Sequence, residues 1–223
     1  MNFRNEWKHE ISYGDMIALR QKFSAVMQID SHAINGKYFI RSLYFDNLSD
    51  KALREKIDGV NIREKFRIRL YNNDKSVIKL EKKSKINGLC SKESVLISPT
   101  QANLLVNSNY SWMVTSDIPL INEFYSKIMS QGLAPKTIVD YERIPFFYAP
   151  GNVRVTLDYN IRTGIKCTDF LNPNCVTVPT DDAIIILEVK WDTFLPDLIR
   201  DAIQLPSCRS SAFSKYAVCR IYG

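Results

Sequence analysis

The sequence predicts an α+β fold built on a closed, eight-stranded antiparallel β-barrel, a tunnel, with helices packed on its outside. About eight segments alternate apolar and polar residues with the period of a β-strand, and helical segments separate several of them. A parallel sheet is disfavoured, because its strands would be apolar on both faces. The 223 residues show no repeat, low-complexity tract or linker, so residues 1–223 are expected to form a single domain.

The predicted strands fall into two groups along the chain. The first group covers residues 6–13, 38–46, 62–72, 76–85 and 88–98. The second group covers residues 136–149, 152–164 and 183–192. Asn72-Asn73-Asp74 and Asn87-Gly88 have the composition of tight turns, so they predict hairpins that join the third, fourth and fifth strands.

Apolar residues at helical spacing predict helices between these strands. The predicted helical segments are residues 14–28, 47–59, 98–108, 118–132 and 195–204, and a closing segment covers residues 211–222. The first helix is expected to be capped near Asp15, and the helix at 98–108 begins at a Ser-Pro pair. Gly59 and Gly132 follow two of the helices and are typical C-terminal stops.

Charge on the predicted strands is confined to alternate residues. In the stretch "KFRIRLYNNDKSVIKLEKK", for example, Phe66 and Ile68 alternate with Arg67 and Arg69. Because successive strand residues point to opposite faces of a sheet, one face is predicted to be apolar and the other charged. The charged set comprises Lys8, Glu10, Arg67, Arg69, Lys79, Glu81, Lys83, Arg154, Asp158, Glu188 and Lys190.

Alternation of this kind is also what a sheet with one solvated face would show. The helices, however, need an apolar sheet face to pack against, and if they cover the outside, the charged face lines the lumen. A charged lumen is costly unless a ligand of opposite charge fills it. Converging Arg and Lys side chains suit phosphate, and the few carboxylates among them suit a divalent metal that bridges phosphate oxygens. The pattern therefore favours a polyphosphate-binding tunnel.

Composition argues against several other classes of protein. Hydrophobic residues make up 45% and charged residues 24%, as in an ordinary globular protein, and a formal charge of +6 leans only weakly toward a polyanionic partner. The N-terminus lacks an apolar signal core, and the longest aliphatic run, residues 183–187, is too short to span a membrane, so a cytoplasmic location is expected. Walker A and G-x-S-x-G motifs are absent, and the five cysteines show no C-x-x-C pair.

Nine segments, in order along the chain, resemble the VTC domain, the polyphosphate-polymerase branch of the triphosphate tunnel metalloenzymes. They are "IRSLYFDN", "EKIDG", "REKFRIRLYN", "IKLEKKSK", "YERIPF", "VRVTLDYNIR", "ILEVKWD", "FLP" and "SKY". The resemblance extends from about residue 8 to residue 216. It implies an eight-stranded tunnel in which the γ-phosphate of ATP is transferred to a growing polyphosphate chain with the help of Mn²⁺ or Mg²⁺.

The resemblance also implies which residues bind the substrate. Arg67 and Arg69 match the R-x-R pair of the tunnel wall, and Lys83 matches the lysine of the L-E-x-K motif. The implied catalytic cradle is Arg67, Arg69, Lys83, Arg143 and Arg154. Further phosphate contacts are implied at Lys8, Lys92, Lys190 and Lys215, and metal ligands at Glu188 and Glu10.

Three other charged residues carry expectations. Asp158 is expected to brace Arg154 on the same face, and Lys56 is expected to be a solvated helix residue. Glu81 is equally suited to orient a cation or to bind metal.

The first strand departs from the family pattern. The family usually shows a glutamate followed two residues later by lysine and then tyrosine. Here Glu10 and Tyr13 are in place, but position 12 is Ser. Either Lys8, on the same face, supplies the missing cation, or one phosphate subsite is weakened.

Three functions remain open on the sequence. The first is the phosphotransferase, the second is a tunnel-type triphosphatase in which water replaces the acceptor, and the third is a non-catalytic sensor of polyphosphate, inositol phosphates or nucleotide. The expected partners are ATP or another triphosphate, and polyphosphate, whereas a membrane partner protein is left open. A nucleic-acid partner is disfavoured, because it would call for basic residues spread over an outer surface with exposed aromatics.

Overall fold

A computed structural model describes residues 4–181, 184–205, 209–210 and 213–221 of the chain. Its long strands are β1 (Asn5–Ile11), β3 (Tyr38–Asp46), β4 (Ile62–Tyr71), β5 (Asp74–Ile86), β6 (Leu89–Ile97), β7 (Ala134–Tyr148), β8 (Val153–Thr163) and β10 (Ile185–Trp191). Two-residue strands are β2 (Gln28–Ile29), β9 (Val178–Pro179) and β11 (Arg209–Ser210). All eight predicted strands are therefore confirmed, with nearly the predicted ends, although residues 182–183 lie outside the described part.

Of the six α-helices in the described residues, five correspond to predicted helical segments, and the sixth lies in the closing segment at 211–222, of which residues 211, 212 and 222 are outside the described part. The helices are α1 (Tyr13–Val26), α2 (Lys51–Ile57), α3 (Pro99–Val106), α4 (Pro119–Gln131), α5 (Asp197–Ala202) and α6 (Lys215–Ile221). The hydroxyl of Ser12 accepts a hydrogen bond from the backbone N–H of Asp15 at 3.1 Å, and the Asp15 carboxylate accepts one from the N–H of Ser12 at 3.2 Å. This capping box fixes the start of α1. None of the described helices is long and apolar enough to cross a bilayer.

The long strands form one curled antiparallel sheet, a half-barrel and not the closed barrel that the sequence predicted. The order is β11-β1-β10-β8-β7-β3-β4-β5-β6. The two ends of this order approach each other, but among the described residues β6 and the segment before β1 share only an isolated bridge between Arg4 and Cys90. Closure is prevented in part because β11 pairs with His9 and Glu10 on the edge of β1 that would have to face β6.

Four of the helices pack on the convex side of the sheet, as predicted, through two apolar cores. Under α3 and α4, the ring of Phe66 stacks on Phe124 with centroids 4.7 Å apart. Under α1 and α5, Phe23 packs against Phe146 at 5.5 Å. Burying each such side chain contributes up to about 3 kcal/mol, so these cores stabilise the sheet without using its other face.

Helices α2 and α6 lie against the concave side, because Ala52 and Leu53 of α2 pack on the same apolar cluster as Tyr216 of α6, and the prediction that the helices pack outside is wrong for both. Tyr216 is 1% exposed, stacks on Tyr44 at 4.8 Å and donates a hydrogen bond to Asp46 Oδ2 at 2.7 Å. Asp46 also accepts hydrogen bonds from the N–H groups of Ala52 and Leu53 in α2. The physical reason is that the concave face is not charged throughout: an apolar cluster at one end needs a cover.

The hydrogen bond between Tyr216 and Asp46 gives a test of this arrangement. We expect Tyr216→Phe to lower the free energy of unfolding by about 2 kcal/mol, because a buried hydrogen bond to a charged acceptor is lost. Urea unfolding would measure the change. Tyr13→Phe removes the same hydroxyl from an exposed residue and is the control. Equal, small effects of both substitutions would contradict the proposed role of Asp46.

Candidate functional site

The concave face of the sheet encloses a cavity of about 410 Å³, to which all eight long strands contribute side chains. Eleven arginines and lysines line this main cavity: Arg4, Lys8, Lys65, Arg67, Arg69, Lys83, Lys92, Arg143, Arg154, Lys190 and Lys215. Two glutamates, Glu6 and Glu188, line it as well. The structure therefore brings together every predicted site residue except Glu10.

Glu81 organises the first group of cations. It lies directly opposite Arg67 in the β4–β5 ladder, is 1% exposed, and accepts from Arg67 Nε at 2.8 Å and from Lys92 Nζ at 2.9 Å. Arg69 Nη1 lies 3.7 Å from the same carboxylate. Burial alone would raise the pKa of Glu81, but Arg67, Arg69 and Lys92 lower it far below its usual range. Glu81 therefore orients cations, which is one of the two roles, with metal binding, that the sequence left open for it.

Tyrosine hydroxyls hold the other ends of the two guanidinium groups. Tyr44 accepts a hydrogen bond from Arg67 Nη1 at 2.7 Å, and Tyr141 accepts one from Arg69 Nη2 at 3.0 Å. Although burial opposes it, the cations Arg67 and Lys65 lower the pKa of Tyr44 to about 7. Sequence reasoning missed Tyr44, because its position on the charged face follows from pairing with Arg67, which alternation within one strand does not reveal.

Asp158 organises the second group. It lies opposite Arg143 in the β7–β8 ladder and receives a bidentate contact, with Nε at 2.6 Å and Nη2 at 2.7 Å. Lys215, the first residue of α6, places Nζ 2.5 Å from the same carboxylate. The expectation that Asp158 braces Arg154 is therefore wrong, because the register gives Asp158 a partner on the neighbouring strand. Arg154 lies exposed at the rim of the cavity.

Two glutamates and three lysines form the third group. Lys8 Nζ lies between Glu6 and Glu188, at 2.9 and 3.7 Å. Lys190 contacts the same two carboxylates at 3.4 and 2.9 Å, and Lys83 contacts Glu6 at 3.1 Å. Burial opposes ionisation of Glu188, but Lys190 and Lys8 outweigh it, so the pKa of Glu188 is well below its usual range.

Glu6, and not Glu10, lines the main cavity together with Glu188. Glu10 is exposed and lies outside the lining of the main cavity, with Ile186 and Arg209 as its neighbours in the ladders. The centre of β1 is Lys8, which pairs with Glu188, so Glu6 and Lys8 are the residues that face the site. Ser12 caps α1 and does not line the main cavity. Of the two alternatives for position 12, the geometry favours Lys8 as the replacement cation.

Lys65 and Lys83 are two lysines of the cavity that lie close to other cations. They lie directly opposite each other in the β4–β5 ladder. The ammonium of Lys65 lies 5.4 Å from the centre of the Tyr44 ring, and Lys65 forms no ion pair within the described residues. Burial, with Lys8 nearby, lowers the pKa of Lys83 to about 7, and burial lowers that of Lys65 to about 8. The cavity thus holds more positive charge than its own carboxylates neutralise.

The donor set suits a metal that arrives together with phosphate. Over the ranges that the structure describes, no group of three or more His, Cys, Asp and Glu side chains could hold a metal ion. Magnesium-type sites commonly combine one or two carboxylates with phosphate oxygens and water. Glu6 and Glu188, which share two lysines, fit such a site, whereas a resident metal held by protein ligands alone does not fit.

The crowding of cations predicts how stability depends on pH. The folded pKa values of Lys83 and Lys65, about 7 and about 8, lie below the value of about 10.4 for an unfolded lysine. Between pH 7 and 8.5 the unfolded chain therefore binds more protons, and the free energy of unfolding of the ligand-free protein should rise, by about 2 kcal/mol from these two lysines. Tyr44, whose folded pKa of about 7 lies below its usual value, adds to the rise in the same direction. Urea unfolding at a series of pH values would measure this rise.

Lys83→Gln should flatten the pH profile, whereas Lys22→Gln, on the exposed side of α1, should leave it unchanged. A profile that keeps the same slope in Lys83→Gln would contradict the assignment.

Known structures share this fold. A protein of Bacillus halodurans, described as a candidate adenylate cyclase, superimposes with a TM-score of 0.53 at 14% identity, covering 85% of this chain and 80% of its own. The PH1012 protein of Pyrococcus horikoshii OT3 has a TM-score of 0.53 at 11% identity and covers 96% and 98%. No curated protein matches the sequence significantly. The VTC domain matches residues 3–221, nearly the whole chain, and the chain therefore belongs to the VTC domain family.

Proposed function

We propose that the chain is a metal-dependent phosphotransferase that moves the γ-phosphate of ATP onto the end of a polyphosphate chain inside the main cavity. The observation that carries the proposal is the imbalance of fixed charge. Eleven cationic side chains line the cavity. Glu6 and Glu188 line it, and Glu81 and Asp158 are buried beneath its cations, which makes four carboxylates. A ligand with several negative charges is the natural complement.

The geometry of the cations favours phosphate over other anions. Arginine presents a planar fork that binds two phosphate oxygens at once, and lysine adds a compact point charge. Arg67, Arg69 and Arg143 reach the cavity from two separate parts of the sheet. A volume of about 410 Å³ lies in the range of ordinary ligand sites and suits a triphosphate group.

The reaction needs no nucleophilic side chain. A terminal phosphate oxygen of the acceptor chain attacks the γ-phosphorus in line, a new P–O–P bond forms, the bond to the β–γ bridging oxygen breaks, and ADP leaves. Arg67, Arg69 and Lys83 would neutralise the oxygens of the transferred group, and Arg143 would orient the phosphates. Because Glu81 and Asp158 already fix the guanidinium groups, little reorganisation is required when charge shifts during transfer.

Glu188 and Glu6 would hold the divalent cation that accompanies the nucleotide. The cation, when bound, supplies charge neutralisation and orientation at the phosphate oxygens. Lys8 and Lys190 contact the same two carboxylates. The lysines would then move toward phosphate when the substrate enters.

Purified protein incubated with ATP and Mn²⁺, with and without a short polyphosphate primer, tests the proposed reaction. We expect a polyphosphate ladder on gels, with little orthophosphate. Arg67→Lys keeps a charge beside Glu81 but loses the fork, and should lower the rate about 100-fold. Arg20→Lys, on the exposed side of α1, is the matched control and should be as active as the wild type.

Two other outcomes would contradict the phosphotransferase. Orthophosphate without a ladder would make the protein a triphosphatase. Neither product, with tripolyphosphate still bound, would make it a sensor.

Metal binding should depend on the nucleotide. We expect free protein to bind Mn²⁺ weakly, and protein with a non-hydrolysable ATP analogue to bind it tightly, as measured by the loss of the free Mn²⁺ signal in electron paramagnetic resonance. Glu188→Gln should weaken binding in the ternary complex about tenfold, because one carboxylate ligand is lost. Glu10→Gln is the control. If it weakened Mn²⁺ binding as much as Glu188→Gln, Glu10 would be a metal ligand and the assignment of Glu6 would be wrong.

A further inference from the structure

A second cavity of about 160 Å³, which we call the annex, lies beside the main cavity. Glu6, Lys8, Lys65 and Lys83 line both spaces, so the two are adjacent. The annex lies between α2 and the ends of β4 and β5 that are farther from their shared turn. Three further cations line it: Lys56, Arg63 and Lys85.

The ladder between β4 and β5 aligns these cations with those of the main cavity. Lys65 lies opposite Lys83, and Arg63 lies opposite Lys85, so two successive pairs on one face carry like charges. Successive residues on one face of a strand are about 6.8 Å apart. Like charges placed directly opposite each other destabilise a sheet. The row therefore continues from Arg67, which Glu81 neutralises, past Lys65 to Arg63, and these last two residues have no ion-pair partner among the described residues.

The three annex cations lack carboxylate partners. In the part of the chain that the structure describes, Lys56, Arg63 and Lys85 form no ion pair, and Arg63 donates to the carbonyl oxygen of Val60. All three are partly buried. Burial and the neighbouring cations Arg63 and Lys85 lower the pKa of Lys56, so Lys56 is not the solvated helix residue that the sequence suggested.

The carboxylates that line the annex are already engaged. Glu6 contacts Lys83, and Glu64 contacts both Lys82 and Lys127. A solvated basic surface would explain exposed lysines, but not partly buried cations that line a cavity beside the main cavity and lie on the same strand face. Among the described residues, no carboxylate that lines the annex is therefore left to pair with the three annex cations, and an anion that binds in the annex is their natural complement.

We propose that the annex is a separate subsite for the phosphates of a polyphosphate chain, beyond those that the main cavity holds. The inference rests on the proposed function and adds to it the path by which the polyphosphate chain leaves the main cavity. The inorganic chain leaves the main cavity between Lys65 and Lys83 and passes Arg63, Lys85 and Lys56. The annex thus distinguishes a long polyphosphate from a triphosphate, which ends within the main cavity.

Competition binding with two probes, tripolyphosphate and a medium-chain polyphosphate, tests the annex. In Lys56→Gln/Lys85→Gln we expect affinity for the medium chain to fall at least about tenfold, since charged hydrogen bonds are lost, and affinity for tripolyphosphate to change less than about threefold. Lys22→Gln/Lys166→Gln removes two exposed charges elsewhere and should change neither affinity. Arg63→Gln provides an independent variant with the same expectation.

The outcomes separate the annex from the main cavity. An equal loss for both probes, or a loss for neither, overturns the annex as a subsite. Arg67→Lys should weaken both probes, because it acts in the main cavity. Wild-type protein that binds the medium chain no more tightly than tripolyphosphate would also overturn the annex, whereas failure to bind either probe overturns the proposed function itself.

Discussion

Cations face one another directly across two neighbouring strands, and the rest of the structure accommodates this repulsion. Lys65 lies opposite Lys83, and Arg63 lies opposite Lys85, on the concave side of the sheet. An antiparallel pair of this kind is unfavourable in isolation. The apolar cores under the outer helices hold the strands in register, so the concave face is free to carry side chains that contribute nothing to folding.

The carboxylates divide the cations into two classes with different uses. Glu81 and Asp158 are almost fully buried and fix Arg67, Arg69 and Arg143 before any ligand arrives. Such fixed dipoles and charges are the groups that stabilise a transition state at low cost of reorganisation. Lys65, which has no ion-pair partner among the described residues, and Lys83, which shares Glu6 with Lys8 and Lys190, are not fixed in this way, and burial lowers the pKa of both.

The sequence predicted the elements and the charged face, because both depend on local periodicity. Alternation placed Arg67 and Arg69 on one face, and no knowledge of the neighbouring strand was needed. The sequence did not predict the features that depend on strand pairing. Tyr44 lies at the site through its register with Arg67, and Glu6, not Glu10, lines the cavity beside Lys8, which pairs with Glu188.

Two features of the fold needed contacts between distant parts of the chain. The sheet stays open partly because β11 takes an edge of β1, and a two-residue strand has no periodicity to detect. Helix α6 enters the concave side because Tyr216 reaches Asp46, 170 residues away in the sequence. Its apolar residues would equally have suited a helix on the convex side, so periodicity alone could not choose between the two.

Thermal unfolding with and without tripolyphosphate, compared with sodium chloride at the same ionic strength, tests the central claim that a polyanion completes the concave face. At about 100 times the dissociation constant, a ligand that binds only the folded state stabilises by about 2.7 kcal/mol. For a chain of this size the Tm should rise by about 5–10 °C with tripolyphosphate and much less with the salt. Equal shifts would mean that the cations respond only to ionic strength, and would contradict the account.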